Sequence, residues 1–170
     1  MTRKTDKKLI QMEVTGLTID PFTSMPIVIL KDKEEKFALP IWIGLIEASA
    51  IATILEEIQL SRPMTHDLMK TIFDKTDVTV DRVVIHDLSD NTFYARIELK
   101  QGNKNIDIDA RPSDAMSIAL RTKSPIWVEK EVIDKSRKID LSQEGDVQQK
   151  QKWAEILENL SPEDFGKYKM

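Results

Sequence analysis

Between Thr92 and Ala110 the chain alternates apolar and polar residues in two runs separated by a glycine. A period of two fits a β-hairpin with one buried face, and it fits little else. Phe93, Ala95, Ile97 and Leu99 share a face of the first run, Thr92 to Lys100, while Ile106, Ile108 and Ala110 share a face of the second, Lys104 to Ala110. With Gln101-Gly102 as a two-residue turn, Phe93, Ala95 and Ile97 face Ala110, Ile108 and Ile106. On the polar face the same register sets Arg96 opposite Asp107 and Tyr94 opposite Asp109. Pro112 then opens a helix that runs to about Arg121. Three carboxylates, Asp107, Asp109 and Asp114, and one guanidinium, Arg111, are thereby crowded into a strand-to-helix corner.

The same kinds of pattern recur upstream. Leu9 to Ile19 reads as an opening strand in which Ile10, Met12 and Val14 alternate before Gly16 permits a bulge. Asp20-Pro21 makes a turn, Met25 to Lys31 is an apolar strand, and Phe37 to Ile43 is its hairpin partner. From Leu45, apolar side chains at Ala48, Ile51, Ala52, Leu55 and Ile58 recur at helical spacing and predict a helix ending near Leu60. A second helix follows Arg62-Pro63, with Thr65 as N-cap and Leu68, Met69, Ile72 and Phe73 as its buried stripe. Val78 to His86 and Pro125 to Glu129 complete the strands.

A constant shift of 67 residues superposes the two hairpins and the helices that follow them: Ile41 falls on Ile108, Glu47 on Asp114 (114 − 47 = 67), and Ala48, Ile51 and Ala52 on Ala115, Ile118 and Ala119. The expected class is therefore α+β, an internally duplicated unit of hairpin plus helix, with a mostly antiparallel sheet packed against helices. One domain spans residues 9–133, built from repeats at about 9–58 and 76–125 with a helical insert at 61–75. Around it lie a basic tail at 1–8, a polar linker at 134–146, and a C-terminal helix and tail at 147–170. Trp153, Ile156, Leu157 and Leu160 give that last helix one narrow apolar stripe, which must dock on the domain or on a partner.

A hydrophobic content of 41% over 170 residues is enough for a core. There is no cysteine, which excludes a disulfide framework, a thiolate nucleophile and Cys-ligated zinc, and suits the cytoplasm. No apolar run has the length of a membrane span. A net charge of −4 argues against a broad phosphate-binding surface, although a local groove stays open. The five glycines never cluster into a phosphate cradle, and with only His66 and His86 as bases no serine sits in a nucleophile elbow.

What remains suits metal-assisted hydrolysis. Magnesium and manganese are bound through one or two carboxylates plus substrate phosphate. Asp107 and Asp109 project from one strand face about 7 Å apart, the spacing of alternate residues, and Asp114 opens the adjacent helix. The structural alternative pairs Asp107 with Arg96, bonds Asp109 to Tyr94 and leaves Asp114 to complement the helix dipole. His66 can serve as general acid or base or as a hydrogen-bonded residue of the helix start, beside Asp67, which caps it. The same two readings apply to His86 next to Asp87. Arg62 and Arg111, each preceding a proline at a helix start, can clamp a phosphate or pair with Glu47 or Asp114.

Four segments, Leu39-Pro40-Ile41-Trp42-Ile43-Gly44, Arg62 to Leu68, Asn91-Thr92-Phe93-Tyr94-Ala95 and Asp109 to Ala115, together resemble the bifunctional nuclease (BFN) domain family over roughly Leu9 to Ile133. The resemblance implies an α+β fold and a hydrolase cleaving DNA and RNA. By motif matching it carries over Glu47, His66, Asp67, Asp107, Arg111 and Asp114 as catalytic candidates. Residue type and strand spacing, apart from the resemblance, make Asp107, Asp109 and Asp114 the candidate ligands for magnesium or manganese. Gln148 to Tyr168 matches poorly the repair-protein interaction segment that some members carry there. The rival expectation is a non-catalytic homo-oligomeric binding or regulatory module, most simply a twofold dimer, in which the same acids and arginines are pinned pairwise.

Overall fold

The computed structural model describes residues 8–136 and the backbone of residues 139 and 140. The expected basic tail, except Lys8, and the C-terminal helix at 147–170 lie outside the described residues. In chain order the elements are β1 (Leu9–Ile19), β2 (Pro26–Asp32), β3 (Phe37–Trp42), α1 (Leu45–Leu55), α2 (Thr65–Lys75) and β4 (Thr79–Ser89). There follow β5 (Thr92–Gln101), β6 (Lys104–Ala110), α3 (Pro112–Thr122), β7 (Ile126–Glu129), α4 (Lys130–Lys135) and the two-residue β8 (Ile139–Asp140).

All strands join one sheet in the order β6-β5-β4-β7-β1-β2-β3-β8. Every neighbouring pair is antiparallel except β4 and β7, which run parallel. The class is α+β, as the alternating runs require. β7 lies between β1 and β4 and joins two groups of three strands, β6-β5-β4 and β1-β2-β3, the second extended at its outer edge by the two-residue β8. The shift of 67 carries α1, 45–55, onto 112–122, the bounds of α3, and carries β3 onto 104–109 within β6. It carries β1 onto 76–86, whereas β4 begins at Thr79.

One face of the sheet carries the core. Val28, Leu30, Leu39 and Ile41 from one side and Val83, Ile85, Ala95, Ile97 and Leu99 from the other pack with Ala48 and Ile51 of α1 and Ala115, Met116, Ile118 and Ala119 of α3. The bulge expected at Gly16 is present, as a register shift between Val14 and Gly16. It moves Leu17 onto the buried face that Met12 and Val14 occupy before it.

Several local expectations are corrected. The β5–β6 turn is Gly102-Asn103, because Gly102 takes the positive φ, +55°, that the first position of a primed hairpin turn needs. Ala95, Ile97 and Leu99 therefore pair with Ala110, Ile108 and Ile106, and on the polar face Arg96 meets Asp109 and Glu98 meets Asp107. Tyr94 lies opposite Asp87 of β4 instead of Asp109. A register slip of two residues preserves which side chains are buried and exchanges only their partners.

α1 stops at Leu55 rather than Leu60. Glu57 turns left-handed at φ +52°, and the Ile58 and Glu57 amides bond back to the carbonyls of Thr53 and Ile54, the two closing bonds of a Schellman end. α2 starts from Met64 as N-cap, not Thr65, because the Asp67 carboxylate accepts the Met64 amide at 2.8 Å. The stretch expected to be linker from residue 134 begins inside α4, where Val132 and Ile133 are buried, and residues 139–140 pair with β3. Among the described residues no helix is long and apolar enough to cross a membrane.

The three long helices meet at one side chain. Arg121, on α3 and with its side chain only 2% exposed, donates from Nε to Asp67 of α2 at 2.6 Å, from Nη2 to the Ala50 carbonyl of α1 at 3.2 Å, and from Nη1 to the Ser117 carbonyl of its own helix at 3.2 Å. A buried guanidinium is tolerable only when its charge and its N–H groups are met, and here three helices meet them. Arg121→Ala should lower stability by about 3–5 kcal/mol, the typical cost of breaking a buried pair from one side. A urea titration with an unchanged slope and a lower midpoint would register it.

Candidate active site at three helix starts

Glu47, Asp67 and Asp114 each occupy the third position of a helix, α1, α2 and α3 respectively. None of the N-cap residues, Gly44, Met64 and Arg111, caps with a side-chain hydrogen bond, so each first turn presents amide N–H groups that an acid at this position complements. α3 packs against both α1 and α2, and this brings their acid-bearing starts into contact.

Arg111 is the junction. Its Nε donates to Asp114 at 2.8 Å and its Nη1 to Glu47 at 2.7 Å, while the side chain stays 64% exposed. Asp114 receives His66 Nε2 on its other oxygen at 3.0 Å, with the imidazole largely enclosed at 13% exposure. Four side chains from three helix starts thus form one line: Glu47, Arg111, Asp114, His66. Gly44 makes room for its first member, since a Cβ there would lie 2.1 Å from a Glu47 carboxylate oxygen.

The electrostatics follow from these contacts. Burial pushes the Asp114 carboxyl up, but hydrogen bonds from Arg111 and His66 and the charge of both outweigh it, so it titrates below the ordinary 3.8 of an aspartate. Asp67 behaves alike: burial raises it, while hydrogen bonds from Arg121 and the Met64 amide, with the Arg121 charge, carry it lower. The Arg111 guanidinium is held more firmly protonated, first by its bond to Asp114 and then by Glu47.

Of the residues singled out in the sequence, Glu47, His66, Arg111 and Asp114 are brought together, with Asp67 on the neighbouring Arg121. Asp107 and Asp109 are not. They stand exposed on β6, and among the described residues neither carries a hydrogen bond or ion pair. The expected Arg96–Asp107 pair is absent: Arg96 bonds Glu98 at 2.9 Å and lies 4.0 Å from Glu129, and Glu98 also takes Arg82 at 2.6 Å. Arg62 is exposed and His86 partly buried, and among the described residues neither is bonded to this line of contacts. Arg121 had no sequence signal as a helix tie, because a cation in the last turn of a helix also reads as a dipole complement.

The donor set does not fit a ready-made cation site. Among the described residues no three His, Asp or Glu side chains are arranged to hold a metal ion, and Asp114 already serves Arg111 and His66. What the line of residues offers chemically is a guanidinium with donors to spare, since the two acids take two of its five N–H groups, and an imidazole oriented by a carboxylate.

The bifunctional nuclease domain model matches residues 28–140, which is 113 of the chain's 170 residues, and the chain belongs to that family. It is similar to an uncharacterized protein of Mycobacterium tuberculosis, 33% identical over 163 residues, covering 91% of this chain and 97% of that protein. It is also similar to Bifunctional nuclease 1 of Arabidopsis thaliana, 30% identical over 119 residues, covering 68% of this chain, and to Bifunctional nuclease 1 of Oryza sativa, 29% identical over 109 residues, covering 62%. The chain spans 37% and 33% of the length of these two plant proteins.

The lowered carboxyls set a pH dependence. A carboxylate held below its unfolded value contributes stability above that value and loses the contribution as pH falls through the lowered one. Asp67 and Asp114 should therefore support folding undiminished from neutrality to about pH 4 and progressively less below it. Urea midpoints measured across the acid range should fall, and Asp114→Asn should flatten that limb.

Proposed function

We infer that the protein hydrolyses phosphodiester bonds of DNA or RNA at the Glu47–Arg111–Asp114–His66 line. The observation that carries this is the exposed guanidinium of Arg111, fixed by two acids beside an imidazole that a carboxylate orients, in a chain of the bifunctional nuclease domain family. The planar guanidinium is suited to a phosphate and to the charge that grows on it during in-line attack. With the His66 proton on Nε2 and donated to Asp114, the lone pair lies on Nδ1, where it can take a proton from attacking water. Glu47 holds Arg111 in place from the α1 side, and Asp67, tied to Arg121, holds the start of α2 that carries His66.

A second reading has its own support. Glu47 and Asp114 outnumber Arg111 by one negative charge when His66 is neutral, and every acid in the line already has a partner. Such a site repels a phosphate unless a proton or a cation enters with it, which favours a non-catalytic binding or regulatory module. Magnesium or manganese belongs to the first reading as a proposal only, and no step above depends on it.

Cleavage of single-stranded DNA and RNA by highly purified protein, with magnesium, with manganese and with chelator, separates the readings. His66→Gln and Arg111→Ala should each lower the rate about 100-fold or more, while Asp107→Ala and Asp109→Ala should leave it unchanged. Cleavage indifferent to the first two variants overturns the assignment. A well-folded wild type that cleaves neither substrate under any of the three conditions supports the binding module.

A further inference from the structure

The Asp20 carboxylate, in the turn between β1 and β2, accepts the Phe22 amide on Oδ1 at 2.9 Å and the Trp42 indole N–H on Oδ2 at 2.8 Å. One side chain thereby holds both the loop that carries Phe22 and the ring of Trp42 at the end of β3. Neither aromatic is folded into the core: Phe22 is 91% exposed and Trp42 43%. With its N–H spent on Asp20, Trp42 has the face of its ring left to offer. Two residues further on, Gly44 is the N-cap of α1, whose first turn carries the 81% exposed Ile46 beside Glu47. Trp42 precedes Glu47 by five residues, at most about 18 Å of extended chain, and Glu47 accepts Arg111 at 2.7 Å. The two rings and the exposed guanidinium are therefore within reach of one short, extended ligand.

We propose that Trp42 and Phe22 form a stacking platform for unpaired nucleobases, which seats a single strand of DNA or RNA with one of its phosphates on Arg111. The choice of ligand rests on the hydrolase reading and narrows it to one form of nucleic acid. Charge decides the ligand as much as the rings do. A chain of net charge −4, with one exposed guanidinium in its line of site residues, gains little from phosphates, so a nucleic acid held there must gain from its bases. Stacking on aromatic side chains supplies that gain, and it tolerates any base because every base has a π face. It is closed to a duplex, whose bases already lie against one another. Asp20 orders the loop of Phe22 and the ring of Trp42 before a ligand arrives, so less freedom is lost on binding. Ile46, between Trp42 and Glu47 in the chain, adds apolar surface at the same helix start.

Fluorescence anisotropy of the full chain with a labelled phosphorothioate oligothymidylate, which keeps its charge and resists hydrolysis, tests this beside a duplex and an abasic strand of the same length. Trp42→Ala and Phe22→Ala should each weaken binding of the single strand about tenfold, and Trp42→Phe, which keeps an aromatic face, should restore most of the loss. Neither alanine variant should alter the weak binding of the abasic strand. Binding should fall with salt at a logarithmic slope of about −0.7, the mark of one phosphate contact. Phe22 lies outside the core, so its variant reads the platform whatever Trp42→Ala does to folding, which circular dichroism monitors. A wild type that binds no single strand, or binds it no better than the abasic one, overturns the proposal, as does an affinity indifferent to both alanine variants. A strand of ordinary DNA or RNA bound through both rings yet never cut leaves the platform standing and removes the hydrolase reading. Cleavage whose rate and KM ignore both rings does the reverse.

Discussion

The buried guanidinium of Arg121 is the contact on which the arrangement of the helices depends. A positive charge withdrawn from water must be met by hydrogen bonds and a counter-charge in a fixed geometry. Arg121 finds them on three different helices at once. α2 has no fully buried residue of its own, so this tie, with Met69 and Phe73 against the core, is what locates it. Because Asp67 adjoins His66, the same tie fixes the height at which the imidazole meets Asp114. The candidate site is thus held from beneath by a residue that takes no part in it.

The strand pattern was legible wherever period and punctuation agreed. β1 and β6 occupy the expected spans, and α3 differs from its expected span only by Thr122. The register of β5 on β6 was not legible, since a shift of two leaves every buried side chain buried and only the left-handed Gly102 decides between the alternatives. The end of α1 escaped for a related reason. Its reversal uses Glu57, and no glycine or proline lies between Gly44 and Pro63 to announce it. α4 was missed because six residues with two buried side chains present no period to read.

For the site, sequence could nominate members but not join them. Arg111 and Asp114 lie one helical turn apart and are visible as a pair. The links to Glu47 and His66 cross 64 and 48 residues. Asp107 and Asp109 looked equivalent to Asp114 on residue type alone, and the pleat of β6 separates them from it. The polar sheet face that they share with Arg96 and Glu98 is a different electrostatic environment from the helix starts, where amide dipoles, a guanidinium and an imidazole compensate each acid.

The order of the sheet also has a temporal side. β1 and β4 do not pair with each other; each leans on β7, whose four residues join Leu9 to Glu129 and Val83 to Ile126. During synthesis from the N-terminus both groups of three strands emerge before the strand that closes the gap between them. Hairpins such as β2–β3 and β5–β6 are local and quick to form, whereas pairing across 120 residues is the kind of contact that slows folding. Until Glu129 has left the ribosome, the nascent chain holds two unfinished half-sheets with open inner edges, so the last quarter of the sequence decides whether they become one molecule or seek strands elsewhere.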